Sequence, residues 1–277
     1  MRTISGTTRL AGVIGAPIRH SLSPTIFNAA FDACDLDWVY LAFEVPPGEA
    51  SSALAAMRAL DIGGLSVTMP HKDDVAANVE RLTAEAATLR AVNCVAKIGD
   101  ELVGANTDGP GFLDALLSEI DFDANGRRAV VFGAKGAARS IVFALAQAGA
   151  ADVAVVNRSS DRAEVAAALA GSVGRVADAG AIAGADLVVN ATSLGMGDGQ
   201  FPFEPALLVR GQVVADVVYH PSPTPLVAAA RERGVQTIGG VGMLVHQAGH
   251  AFRLWTGLDP PLEAMTAAAS AALAARG

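Results

Sequence analysis

Six residues, Gly133-Ala134-Lys135-Gly136-Ala137-Ala138, constrain the fold of this chain more than any others. They follow residues 128–133, where a basic residue leads into Ala-Val-Val-Phe-Gly, a run suited to a strand buried on both faces of a parallel sheet. They precede residues 137–149, apolar and closed by glycine, which predicts a helix. Strand, glycine-rich turn and helix in that order suit a dinucleotide, because backbone N–H groups at the helix N-terminus can hold its pyrophosphate. In the G-x-G-x-x-G/A spacing Gly133 and Ala138 match, while Lys135 stands where glycine lets backbone approach phosphate. The alternative is a plain strand-to-helix turn.

The surrounding pattern repeats this alternation. Strands are predicted at 151–157, 187–190 and 213–218 and a helix at 163–169, which makes a dinucleotide-binding half with its switch point near Gly133. Upstream, apolar runs at 10–15, 39–45 and 64–69 alternate with helical patterns at 24–33 and 50–60, which implies βαβ units and a mostly parallel sheet. Helices at 243–254 and 262–275 have no strand after them and are free to pack elsewhere. A length of 277 residues accommodates two compact domains.

Composition narrows the class. With 52% apolar and 17% charged residues the chain is too apolar for disorder, and a globular, soluble α/β protein is expected. A net charge of −8 without clustered Lys and Arg argues against a nucleic-acid partner. No run of about 18 apolar residues lacks Gly, Pro or charge, so no membrane span is expected. Cys34 and Cys94 are far apart and better read as reduced, which suits a cytoplasmic location.

The strand after the glycine-rich loop bears on the cofactor. An NAD site wants a carboxylate about 20 residues beyond the loop for the ribose 2′-hydroxyl, whereas a 2′-phosphate wants a guanidinium. This strand ends Asn157-Arg158-Ser159, with Arg162 a turn later and no acid before Asp161. Two arginines and a hydroxyl can clamp a phosphate, so NADP(H) is the expected cofactor, with a solvated strand end as the alternative.

Other segments carry candidate chemistry. In Ser66-Val67-Thr68-Met69-Pro70-His71-Lys72 a strand runs into proline and then Lys72, at the strand end where open α/β sheets bind ligands. Taken alone, Lys72 and His71 each read as surface residues. Asp108, within Gly104-Ala105-Asn106-Thr107-Asp108-Gly109, is either a helix N-cap or a carboxylate that meets Lys72 and keeps it charged as a proton donor. Ser23 before Pro24 reads as a helix cap, and with Ser21 it points hydroxyls at an anion. His246 and His250 are spaced i, i+4 but lack the glutamate of the H-E-x-x-H zinc pattern, so no metal is expected.

Together these segments resemble the shikimate dehydrogenase family, in the family's order from Gly12 to Gly257. The resemblance rests on Gly15-Ala16-Pro17-Ile18 with Ser21-Leu22-Ser23-Pro24, on Val67-Thr68-Met69-Pro70-His71-Lys72, and on Ala91-Val92-Asn93. It continues through Asn106-Thr107-Asp108-Gly109, Asn157-Arg158-Ser159, Asn190-Ala191-Thr192, Asp216-Val217-Val218-Tyr219 and Gly242-Met243-Leu244-Val245-His246-Gln247-Ala248. It implies an open, mostly parallel α/β substrate domain from residues 1–108 and 245–277, a Rossmann-type NADP-binding domain over 109–244, and a cleft between them. By the same resemblance Ser21 and Ser23 hold the substrate carboxylate, while Thr68, Asn93, Tyr219 and Gln247 bind ring hydroxyls or the carboxylate. Lys72 and Asp108 form the catalytic pair. On the cofactor side stand Gly133, Ala134, Lys135, Gly136 and Ala137, then Asn157, Arg158, Ser159 and Arg162, with Thr192, Gly240 and Met243.

The chain departs from the family's pattern at Ser66, where many relatives have asparagine, and at Lys135, where they have glycine. Cys94 in place of the usual threonine and Phe27 in place of histidine read as packing changes. The implied activity is reversible NADPH-dependent reduction of 3-dehydroshikimate to shikimate, in aromatic amino acid biosynthesis. The partners are then small molecules, and a homodimer stays open. One rival is a paralogue acting on quinate or an aminated ring. The other is a non-catalytic binding relative, against which Lys72 and Asp108 argue, since a pure binder needs no proton donor beside the ring.

Overall fold

The structure, a computed structural model, describes residues 3–197 and 199–276 and divides into two compact units. One comprises the residues up to Thr107 together with Gln247–Arg276, and the other is Asp108–His246.

The first unit begins with β1 (Arg9–Gly15), α1 (Ser23–Ala33), β2 (Trp38–Glu44), α2 (Ala50–Ala59) and β3 (Gly64–Val67). It continues through α3 (Lys72–Asn78), β4 (Arg81–Leu82), α4 (Ala84–Leu89), β5 (Cys94–Ile98) and β6 (Glu101–Ala105). Its sheet has the order β2-β1-β3-β5-β6-β4. The first three strands are parallel as expected, but β5 runs antiparallel to both β3 and β6. One face is buried by Leu54, Met57, Val75 and their neighbours, packed with Ile14, Leu65, Val67 and Val95 of the sheet. On the other side an aromatic group forms around Phe27, which stacks on Tyr40 at 4.4 Å and lies 4.8 Å from Trp255. Gly64 is required there, because any Cβ would enter the Trp255 ring.

The second unit contains α5 (Asp108–Ile120), β7 (Arg128–Phe132), α6 (Gly136–Gln147), β8 (Asp152–Val156), α7 (Ser160–Ala168), β9 (Gly174–Val176), β10 (Leu187–Asn190), β11 (Val213–Asp216), α8 (Pro225–Glu232) and β12 (Gln236–Ile238). Helix α9 (Gly240–Thr256) begins in this unit and ends in the first, which is completed by α10 (Leu262–Ala274). The second sheet has the order β12-β11-β10-β7-β8-β9, every pairing parallel. This is the doubly wound dinucleotide-binding order, with its switch point between β7 and β10. Val131 packs into one core with Ile141 and Leu145, while Val130 and Phe132 pack into the opposite one with Leu226 and Ala230. Side chains alternate across a strand, so burial of both faces explains why β7 reads as unbroken apolar sequence.

Candidate active site

In the first unit Asn93 is the hub. It lies just before β5, is 4% exposed, and its Oδ1 accepts the Thr107 N–H at 2.7 Å. Its Nδ2 donates to Thr107 Oγ1 at 2.9 Å and reaches Gln247 Oε1 at 3.5 Å. The structure therefore brings together Asn93 and Gln247, two residues expected at the substrate. Thr107, within an expected segment but assigned no role there, joins them. Its only sequence signal is its place beside Asp108. The Asn93 carbonyl also accepts the Val67 N–H at 2.7 Å, which ties this hub to the end of β3.

Thr68 follows β3, its N–H donating to Ile14 O at 3.0 Å. The strand was expected to run on to Met69 but ends at Val67, where the chain turns into α3. Lys72 is consequently the first residue of a helix, half-buried, and its carbonyl accepts the Val92 N–H at 3.0 Å. His71, expected at the surface, is completely buried, its Nε2 2.8 Å from Val45 O, because the turn directs it inward.

Two caps are also corrected. Ser23 is not the α1 cap but its first residue; Leu22 holds the cap position, and Ser21 Oγ accepts the Ser23 N–H at 3.2 Å. One hydroxyl thus satisfies one of the N–H groups left without an intrahelical partner. Asp108 is likewise the first residue of α5 and 6% exposed.

In the second unit Gly133 has φ of +116°, and a Cβ there would lie 2.8 Å from Ala191 O, so the turn requires glycine. Lys135 has extended backbone at φ −92°, is exposed, and immediately precedes α6. That backbone needs no glycine, which explains how the departure from the loop pattern is accommodated locally. Ala134 completes the turn, and Gly136 and Ala137 are the first two residues of α6, whose N-terminal N–H groups suit an anion.

At the end of β8, Asn157 Nδ2 donates to Ser159 O at 3.0 Å, and Ser159 Oγ caps α7 by accepting the Arg162 N–H. Arg158 and Arg162 are both exposed. At the end of β10, Thr192 Oγ1 donates to Asn190 Oδ1 at 2.7 Å. Next to it lies Asp216, within an expected segment but assigned no role there. Asp216 is 2% exposed and accepts from Asn190 Nδ2 at 2.9 Å, from the Val218 N–H at 3.0 Å and from Thr224 Oγ1 at 2.6 Å. Burial raises its pKa, and these three donors pull it back down. The network orders the stretch that carries Tyr219, which is half-buried. Gly240 begins α9 against Val217 O, and Met243 is 9% exposed.

His246 and His250 were expected to make packing and polar contacts, and His246 Nε2 lies 3.0 Å from Ser118 Oγ. No helix among the described residues is long and apolar enough to cross a membrane.

Residues 13–95 match the model of the shikimate dehydrogenase substrate binding domain, and residues 240–269 that of the shikimate 5'-dehydrogenase C-terminal domain. A shikimate dehydrogenase (NADP(+)) from a Geobacter species is 45% identical over 287 residues, covering 99% of both chains. The chain belongs to the shikimate dehydrogenase family. Among solved members, a shikimate dehydrogenase in complex with NADP+ is similar at a TM-score of 0.93, with 33% identity over 98% of each chain. The Thermus thermophilus shikimate 5-dehydrogenase, solved with NADP(H) and shikimate, aligns at 0.90 and 35% identity, covering 96% of this chain and all of that one. Within the family's pattern, Phe27 and Cys94 are packing residues here: both are buried, Phe27 stacks on Tyr40, and burial raises the Cys94 thiol to about 12.

Proposed function

We propose that this chain reduces 3-dehydroshikimate to shikimate with NADPH, reversibly. The observation that carries this reading is the hub of Asn93, Thr107 and Gln247. It offers amide and hydroxyl groups to a carboxylated polyol without an excess of positive charge. The residues at the carboxyl ends of β7 and β8 fit a dinucleotide with a 2′-phosphate: a glycine turn too close for any Cβ, a helix N-terminus and two exposed guanidinium groups.

The cofactor, when bound, supplies the hydride that reaches the ring carbonyl carbon. Lys72 gives a proton to the carbonyl oxygen as that carbon is reduced, which completes the alcohol, and it recovers the proton from water. Asp108 orients the Lys72 ammonium and accepts from a ring hydroxyl. Ser21 and Ser23 hold the carboxylate, and Thr68, Asn93, Tyr219 and Gln247 fix the ring. Arg158 and Arg162 select the phosphorylated cofactor, while Asn157, Ser159, Thr192, Gly240 and Met243 line its path.

A second reading, quinate or an aminated ring acid as substrate, is favoured by Ser66 standing in place of an amide. One assay separates them: purified protein with shikimate or quinate and with NADP or NAD, followed by absorbance of the reduced cofactor. Shikimate with NADP should give the highest kcat/KM, and faster turnover of quinate would transfer the chain to the second reading. The two thiols are free, which accords with the reducing cytoplasm where we place the chain. A homodimer belongs to the same reading and is tested by sedimentation.

A further inference from the structure

Tyr40 is completely buried, and its hydroxyl donates to Ser66 Oγ at 2.7 Å. The ring is held in place: it stacks on Phe27 with an interplanar angle of 6° and lies 6.1 Å from Trp255. Ser23 reaches the same hydroxyl, so Tyr40 touches both the first residue of α1 and the third residue of β3. Burial raises the Tyr40 pKa far above its ordinary value, which keeps the group a hydrogen-bond donor at every working pH. Ser66 itself is only half-buried, two residues before Thr68, and faces the buried Cys94 across the antiparallel pair.

A serine hydroxyl has one proton and two lone pairs. With a lone pair occupied by the Tyr40 O–H, the serine proton cannot point back at Tyr40 and is left for another acceptor. A ligand oxygen beside this half-buried residue would then meet a donor.

We propose that Tyr40 is a positioning residue that fixes the Ser66 hydroxyl as a donor, and that Ser66 thereby helps determine which oxygenated ring acid binds. The inference rests on the reduction of 3-dehydroshikimate proposed above. The Tyr40 hydroxyl acts through Ser66 and touches no reacting atom, so it affects ground-state binding and leaves the hydride step alone.

The test is a double-mutant cycle of Tyr40→Phe and Ser66→Ala, with Ser66→Thr as the conservative variant, assayed by shikimate oxidation. Tyr40→Phe and Ser66→Ala should each raise the KM for shikimate about three- to tenfold, the change one neutral hydrogen bond brings. Both should leave kcat and the KM for NADP within about twofold. The double variant should stay within about twofold of Ser66→Ala, since without the Ser66 hydroxyl Tyr40 has none there to fix. Ser66→Thr keeps a hydroxyl and should restore the KM. If Tyr40→Phe proves too unstable to assay, the contrast between Ser66→Ala and Ser66→Thr decides, and equal loss in both overturns the proposal. Multiplying effects in the double variant, or a fall in kcat, also overturn it. A wild type that oxidises shikimate and is matched by Tyr40→Phe refutes this inference alone, whereas a wild type inert on shikimate refutes the reading beneath it.

Discussion

The Thr224 hydroxyl donates to the buried carboxylate of Asp216 at 2.6 Å, closing the segment that carries Tyr219. Burial is the largest influence on Asp216 and raises its pKa above the ordinary 3.8. The folded state therefore holds this proton more tightly than the unfolded chain does. The resulting stabilisation is complete below about 3.8 and is lost as pH rises through the higher native value. Thermal melting of wild type and Asp216→Asn across pH should show the wild type's relative stability falling over that interval, by at most about 1.4 kcal/mol per pH unit. Parallel curves would remove Asp216 as the titrating group.

Lys72→Met should remove most turnover, about 10²- to 10⁴-fold in kcat, because a general acid typically contributes that much. The backbone at this position is tied down by the Val92 N–H, independently of the side chain, so the protein should remain folded. Shikimate affinity by titration should stay within about tenfold. Retention of more than about half the wild-type rate would exclude Lys72 as the proton donor.

Replacing Arg158 and Arg162 together with alanine should abolish the preference for NADP over NAD. Both side chains are exposed, Arg158 just beyond β8 and Arg162 in the first turn of α7, where they are free to reach a phosphate at little folding cost. The measurement is the ratio of kcat/KM values for the two cofactors. A ratio unchanged by the double replacement would move phosphate recognition elsewhere.

Two glycine-loop positions should behave oppositely. Gly133 has φ of +116° and faces Ala191 O, so Gly133→Ala should cost about 1–3 kcal/mol of stability and weaken NADPH binding. Lys135 has ordinary extended backbone, so Lys135→Gly should leave the NADPH dissociation constant within about tenfold, or 1.4 kcal/mol. Hundredfold tightening in Lys135→Gly would mean that the lysine obstructs the cofactor.

Much of the dinucleotide-binding architecture was legible because parallel strands buried on both faces leave continuous apolar runs, as at Val130-Val131-Phe132. The β5–β6 hairpin was not anticipated, although Gly99-Asp100 between two apolar runs is a hairpin signal, and Gly99 has φ of +61°. Asn93 and Gln247 were both named, yet their pairing spans 154 residues and no local pattern encodes it. The Asp216 network depends on the register that sets Asn190 opposite Asp216, which exists only once β10 and β11 pair. His71 was misplaced for a related reason: its burial follows from a turn after Val67, and the sequence around it reads equally well as a longer strand.

The packing of Trp255 against Gly64 has a spectroscopic consequence. The chain has two tryptophans, Trp38 and Trp255, and both belong to the first unit. Trp255 donates its indole N–H to Val95 O at 3.0 Å and is 8% exposed, so its emission should shift to the red when that environment opens. Tryptophan fluorescence during denaturation thus reports the first unit alone, whereas far-ultraviolet circular dichroism reports the helices of both. Coincident transitions by the two probes would show that the units unfold as one cooperative system, and separated midpoints would assign a stability to each without any label or truncation.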